Sequence, residues 1–225
     1  WNVEDPAAYG YLKSVCLNST PAEGDLSSEE TFVDYITKPA EGYDSGIKFY
    51  RWFAPADYRE KTGEIGQILL KRYGVSPRNI TFYAANGSEI TAVDESVVSG
   101  LGTLTGITVT ERSGSGCILT LSLQYENGSA AVRSEYNIRS VLGCGAEKIV
   151  YADGSEAQMA LLPSAFCVLR VQPDGTVTLV GGGYGHGLGM SQNGANGMAK
   201  AGMNYEEILH YFYNEIQIEH MQEDV

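Results

Sequence analysis

Residues 117–133, CILTLSLQYENGSAAVR, have the pattern of an antiparallel β-hairpin. Apolar and polar side chains alternate along residues 119–125, which is the period of a strand with one buried face. Asn127-Gly128 is a pair that favours a tight turn between two strands, so residues 130–133 can return beside the first strand. The sequence therefore predicts a hairpin at the centre of the chain.

Similar strand signals lie on both sides of this hairpin. They are alternating or β-branched runs at residues 46–53, 80–84, 107–112, 166–171 and 176–180. The last two runs enclose Pro173-Asp174-Gly175, a turn sequence, and predict a second hairpin. We expect an α+β fold whose β-rich core consists of short antiparallel strands and hairpins, with a few helices.

Two helices are predicted among the strands. One follows Pro55 and Asp57 and ends at Gly74, and the other is capped by Ser134 and ends at Gly143.

Two further helices are predicted at the C-terminal end, the first over residues 191–201. The second follows Asn204, whose side chain caps the helix while Glu207, three residues on, reaches back to form a capping box. Met203 and Ile208 have the spacing of a hydrophobic staple. The residues predicted to share one face of this helix are Tyr205, Ile208, Leu209 and Phe212.

The length of 225 residues suits one large domain or two small ones, and no linker divides it. We expect residues 1–225 to form a single domain or part of one, with residues 1–46 as an irregular lead-in. The sequence begins at Trp1 rather than at a methionine, so it is expected to be a processed or truncated product, and secretion stays open.

Charge and composition limit the partners. A formal charge of −13 disfavours nucleic acid and anionic lipid, and no apolar run is long enough to span a membrane. The four cysteines, Cys16, Cys117, Cys144 and Cys167, include no Cys-x-x-Cys pair and predict buried small side chains rather than a metal site. One disulfide is compatible with export, but the sequence does not select the pair. We expect no metal and no cofactor.

Residues 181–202, GGGYGHGLGMSQNGANGMAKAG, are the most informative segment for function. No Gly-x-Gly-x-x-Gly spacing fits here and no Gly-Lys-Ser/Thr follows, so a phosphate-binding loop is disfavoured. A glycine-rich surface loop without function remains open. The third interpretation is a substrate-binding turn between a strand and a helix, which presents His186, Ser191 and Gln192.

The string GYGHGLGMSQNGA at residues 183–195, with Gly-Met-Ala and Tyr-Glu-Glu-Ile-Leu after it, resembles the signature that ends stage II sporulation protein D and amidase-enhancer domains. Other segments are also similar to this family: the N-terminal Trp1 and residues 11–15, ERSGSGCILTLSL at 111–123, SEYNIRSVLG at 134–143 and LLPSAF at 161–166. Cys117 stands where the family usually has arginine. The resemblance covers nearly the whole chain and implies the C-terminal half of such a domain.

The resemblance implies cleavage of peptidoglycan glycan strands by a lytic transglycosylase. In such an enzyme the substrate's own 6-hydroxyl is the nucleophile. One carboxylic acid can therefore suffice, whereas hydrolytic glycosidases generally use two. The family's glutamate lies in a Glu-x-Pro stretch before a helix rich in Ala, Gln and Arg, and no acid here maps onto it. Its Cys- and His-bearing region, a zinc site in some members, is also expected to lie outside this chain.

The site implied by the resemblance is a substrate groove. His186, Ser191 and Gln192 are assigned to the catalytic groove, and Tyr184, Arg139, Gly185 and Gly187 to substrate binding. The implied partners are peptidoglycan glycan strands and other cell-wall hydrolases, on the outer face of a bacterial membrane or outside the cell. The alternative is a non-catalytic cell-wall module that enhances or recruits an amidase.

Overall fold

The structure is a computed structural model that describes residues 9–12, 15, 25–38 and 41–219. The chain divides into two compact units. The larger unit comprises residues 24–39 and 47–187, and the smaller unit comprises residues 1–23, 40–46 and 188–225. No helix in the described ranges is long and apolar enough to cross a membrane.

The helices of the larger unit are α1 (Glu29–Thr37), α2 (Thr62–Val75), α3 (Glu95–Gly100) and α4 (Glu135–Gly145). Its strands are β1 (Trp52–Ala56), β2 (Ile80–Ala84), β3 (Glu89–Ile90), β4 (Leu104–Arg112), β5 (Ile118–Tyr125), β6 (Gly128–Arg133), β7 (Ile149–Tyr151), β8 (Glu156–Ala157), β9 (Cys167–Val171) and β10 (Val177–Gly181). The smaller unit contains α5 (Gln192–Lys200) and α6 (Tyr205–Phe212).

Within the described residues, the strands form two antiparallel sheets of five strands each. One sheet has the order β8-β7-β1-β10-β9 and the other has the order β3-β2-β6-β5-β4. The predicted α+β fold is therefore confirmed, including two helices near the C-terminus. Fully buried side chains from both sheets and from two helices pack into the core of the larger unit, among them Trp52, Leu69, Phe82, Leu121, Leu142 and Leu179.

The central hairpin is confirmed, but its turn differs from the prediction. Tyr125 pairs directly with Gly128, so Glu126 and Asn127 form the two-residue turn and Gly128 begins β6. A Cβ at Gly128 would lie 2.2 Å from the carbonyl oxygen of Tyr83 on β2. Glycine is required here because β2 passes close to the backbone.

Three predictions for the N-terminal part of the chain were wrong. Residues 46–53 do not form one strand, because Lys48–Tyr50 is a 3₁₀ turn and β1 runs over Trp52–Ala56. The following helix begins at Thr62, later than predicted. The lead-in is not wholly irregular, because it contains α1.

Helix α1 forms because its first turn is capped and one of its faces is buried. The hydroxyl of Ser28 accepts a hydrogen bond from the backbone N–H of Thr31 at 3.1 Å. Phe32 and Ile36, four residues apart, are buried against Val168.

Ser134 precedes α4 as predicted, but it does not cap the helix through its side chain. Its φ of 72° is in the left-handed region, which is strained for a residue other than glycine.

In the smaller unit the predicted capping box is present. The side chain of Asn204 accepts from the N–H of Glu207 at 3.0 Å, and the carboxylate of Glu207 accepts from the N–H of Asn204 at 2.8 Å. Ile208, Phe212 and Met198 form a buried cluster with Met203 packed against it. Tyr205, which was predicted to share a helical face with Ile208 and Phe212, is 54% exposed.

Candidate functional site

In the glycine-rich segment that follows β10, every second residue is a glycine with a positive φ. Gly183, Gly185, Gly187 and Gly189 have φ values of 74°, 122°, 73° and 76°. Residues that carry a side chain rarely adopt these positive φ values, so a glycine is needed at every second position. Tyr184 and His186 lie between these glycines.

In the larger unit, hydrogen bonds hold this backbone in place. The N–H of Gly183 donates to the carbonyl of Phe49 at 2.8 Å, and the N–H of Gly185 donates to the carbonyl of Pro163 at 2.8 Å. The indole N–H of Trp52 donates to the carbonyl of Gly183 at 3.2 Å. The turn at residues 183–187 is therefore fixed by two separate segments of the unit, residues 49–52 and the segment that contains Pro163.

Tyr184 extends from this turn over an aromatic patch. Its ring centroid lies 4.7 Å from that of Phe49, and Phe49 meets Tyr151 edge to face at 5.4 Å. The ammonium of Lys48 lies 5.0 Å from the centre of the Phe49 ring. Tyr184 remains 55% exposed, so a large part of its ring is available to a ligand.

His186 is exposed, and the backbone beside it lies against Cys117. A Cβ placed on Gly187 would be 3.0 Å from the Cys117 sulfur, so a larger residue at position 187 would displace the thiol. Burial raises the pKa of the Cys117 thiol to about 11, which keeps it protonated and uncharged at neutral pH. The thiol therefore acts as a small packing group under the turn, as the sequence predicts.

The other described cysteines are also free thiols. Cys167 is buried and Cys144 is half-buried, and burial raises the pKa of each thiol to about 12. Cys16 lies outside the described residues.

Arg139 is placed behind the turn. Its guanidinium donates to the carbonyl of Leu162 at 2.7 Å and to the carboxylate of Glu135 at 2.9 Å, and the residue is only 7% exposed. Leu162 precedes Pro163, whose carbonyl holds Gly185. Arg139 thus helps to position the turn, and its direct contact with a sugar stays a prediction.

Arg112 is a supporting residue that the sequence analysis did not single out. Its guanidinium donates to Glu29 at 2.6 Å and to the carbonyls of Gly116 and Cys167 at 2.8 Å each. It also lies 4.1 Å from the centre of the Phe32 ring. One side chain therefore connects α1, the loop before Cys117 and strand β9. The only sequence signal was its place in ERSGSGCILTLSL, one of the segments that are similar to the family.

Ser191 and Gln192 belong to the smaller unit. The hydroxyl of Ser191 accepts from the N–H of Gly194 at 3.1 Å, so it caps helix α5. Gln192 is the first residue of that helix and is exposed. Of the predicted site residues, Tyr184, Gly185, His186 and Gly187 share one turn.

The described part of the chain contains no group of three or more His, Cys, Asp or Glu side chains that could hold a metal ion. Glu4-Asp5-Pro6 has Glu-x-Pro spacing but lies outside the described residues, and no segment rich in Ala, Gln and Arg follows it.

Comparison with known proteins finds the same relatives as the sequence motifs. Stage II sporulation protein D of Bacillus subtilis is 51% identical over 43 residues, which are 19% of this chain and 12% of that protein. The amidase enhancer of Bacillus subtilis is 56% identical over 36 residues, 16% of this chain and 5% of that protein. The predicted resemblance to these proteins is confirmed over short segments, and its extension over nearly the whole chain stays a prediction.

The matches are short relative to the proteins involved. An uncharacterized protein of Brachyspira hyodysenteriae is 44% identical over 59 residues, which are 26% of this chain and 16% of that protein. The chain thus matches well under two thirds of the length of these curated relatives. A family model described as a domain of unknown function (DUF8618) matches residues 84–189, just under half of the chain, and includes the turn.

Proposed function

We propose that this chain is a bacterial cell-wall protein that binds the glycan strands of peptidoglycan through the turn at residues 183–187. The names of its relatives, stage II sporulation protein D and amidase enhancer, support a role connected with the cell wall. The observation that carries the proposal is the pair of exposed side chains, Tyr184 and His186, on a glycine backbone that is tied to the larger unit.

The chemistry of this turn suits sugar rings. The exposed part of Tyr184 offers an aromatic surface on which a pyranose ring can stack, and contact with Phe49 holds the Tyr184 ring in place. The imidazole of His186 offers ring nitrogens for sugar hydroxyls. The formal charge of −13 disfavours a densely anionic polymer such as nucleic acid.

We assign to this chain the binding groove rather than the catalytic acid. As part of a longer protein, the groove would hold the strand while a carboxylic acid elsewhere protonates the leaving oxygen and then accepts the proton of the attacking 6-hydroxyl. The protein would act on the outer face of a bacterial membrane or outside the cell. A binding module that enhances or recruits an amidase is the second candidate, favoured by the amidase-enhancer relative.

The decisive experiment compares His186→Ala with wild type. The side chain is exposed and lies between two glycines, so we expect an almost unchanged melting temperature and several-fold weaker binding of peptide-free glycan strands by calorimetry. His210→Ala, at an exposed histidine in α6, is the control and should leave affinity unchanged. A large drop in melting temperature with unchanged affinity per folded molecule would show that His186 only pins the turn.

Tyr184→Ala tests the stacking surface in the same titration. Loss of the exposed ring should weaken binding at least as much as loss of the imidazole, because stacking uses the whole ring face. Tyr136 on α4 is 45% exposed and provides a matched control against the 55% exposed Tyr184. Equal affinities for Tyr184→Ala and Tyr136→Ala would contradict the proposal.

A further inference from the structure

The smaller unit contains a separate cleft of about 430 Å³ that the predicted site does not use. It is lined by Tyr11, Leu209, Tyr213 and residues 216–219, and we call it the Tyr11 cleft. Ile216 and Ile218 are half-buried in its wall, while Gln217 and Glu219 are exposed. Apolar surface and polar groups thus occur side by side around one opening.

Two of the residues that line the Tyr11 cleft, Tyr11 and Tyr213, belong to a row of three tyrosine rings that also includes Tyr9. The ring centroids of Tyr9 and Tyr11 are 6.4 Å apart, and those of Tyr11 and Tyr213 are 5.9 Å apart. Tyr9 is 38% exposed and Tyr11 is 44% exposed. Exposed aromatic rings in contact with one another offer a continuous apolar surface with polar edges.

Backbone contacts fix this row before any ligand binds. Leu12 and Tyr213 form an antiparallel bridge, and the N–H of Asn214 donates to the carbonyl of Tyr11 at 2.8 Å. The hydroxyl of Tyr213 accepts from the N–H of Met190 at 3.1 Å. A surface that is ordered in advance loses less conformational entropy when it binds a ligand.

The lining selects among ligand classes. An anionic ligand is disfavoured by Glu219 and by the formal charge of −13. A neutral sugar suits this lining, because its ring can stack on tyrosine and the Gln217 amide and Glu219 carboxylate can hydrogen-bond its hydroxyls. The side chains of Leu209, Ile216 and Ile218 offer further apolar contacts that suit the methyl group of an N-acetyl substituent.

We propose that the Tyr11 cleft is a second glycan-binding site, which takes N-acetylated sugar rings and distinguishes them from sugars without the acetamido group. The choice of a glycan rests on the proposed function, whereas the preference for N-acetyl groups rests on the cleft's own apolar lining. The cleft is a binding site with no part in bond cleavage.

The test titrates the chain with a tetramer of N-acetylglucosamine and with a tetramer of glucose. We expect the acetylated tetramer to bind more tightly. Tyr11→Ala should weaken its binding about 2- to 12-fold, the loss that corresponds to one aromatic stacking contact. Tyr11→Phe should bind like wild type, because the proposal uses the ring and not the hydroxyl.

Hydrogen exchange on the wild-type chain gives a reading that does not depend on any variant folding. The acetylated tetramer should slow exchange in residues 209–219, and no protection there would overturn the proposal. Equal affinity for the glucose tetramer would also overturn it. If Tyr184→Ala abolishes binding while Tyr11→Ala has no effect, the turn is the only glycan site. If Tyr11→Ala alone weakens binding, the Tyr11 cleft holds the glycan and the proposed role of the turn is wrong.

Discussion

Replacing Arg112 by methionine should destabilise the larger unit by about 2–7 kcal/mol. The residue is 5% exposed, and the carbonyls of Gly116 and Cys167, both in buried residues, accept its hydrogen bonds. Without the guanidinium each carbonyl loses its donor, at a cost of about 1–3 kcal/mol each. The side chain of Glu29 is 47% exposed, so water can replace its lost ion pair, and this loss adds only about 0–1 kcal/mol to the destabilisation. Methionine fills much of the space of the arginine stem, so packing contributes little to the loss.

The free energy of unfolding can be measured by urea denaturation followed by far-UV circular dichroism. Fluorescence can follow the same transition, because Trp52 in the core of the larger unit is only 2% exposed. Glu29→Gln is the matched control and should cost less than about 1 kcal/mol, because it removes only the half-exposed partner. If Arg112→Met unfolds within 1 kcal/mol of wild type, on the order of the control, the reasoning about buried carbonyls is wrong.

Three further outcomes are expected. Gly185→Ala should lower both the melting temperature and the glycan affinity, because a φ of 122° is strained for alanine. The control is Gly154→Ala, at a glycine with a φ of 80° and no neighbouring atom within 4 Å, which should lower only the melting temperature. Hydrogen bonds from Arg59 lower the pKa of Asp57 from 3.8 to about 2, so its stabilising contribution is present above pH 3.8 and is lost as pH falls towards 2. Melting curves of Asp57→Asn should therefore depend less on pH in that window. Glycan strands incubated with the chain should show no 1,6-anhydromuramic ends by mass spectrometry, and their appearance would point to an acid such as Glu135.

The fold was predictable where local periodicity determines structure. Residues 80–84 and the hairpin of β9 and β10 alternate clearly, and the structure has them as strands. Strand β1 was misplaced because its position depends on pairing with β10, where Trp52 pairs with Gly181. That contact joins residues far apart in the sequence, and a local pattern carries no information about it.

In the candidate site, too, local features were predictable from the sequence and long-range contacts were not. The density of glycines predicted a backbone that only glycine can adopt, and four left-handed glycines occur at residues 183–189. The supporting contacts of Arg112 were not predictable, because its partners Glu29 and Cys167 lie 83 and 55 positions away. The roles assigned to His186, Ser191 and Gln192 stay predictions until binding is measured.

Strand β4 has a consequence for how the chain behaves at high concentration. It is an edge strand of nine residues, long enough to serve as a template for another chain, but its pairing with β5 shifts register at three places. Bulges of this kind twist an edge and interrupt the row of unpaired N–H and C=O groups that a foreign strand needs. The opposite edge of the sheet, β3, is only two residues long. Among the described residues, both edges of this sheet therefore disfavour strand addition and the aggregation that would follow.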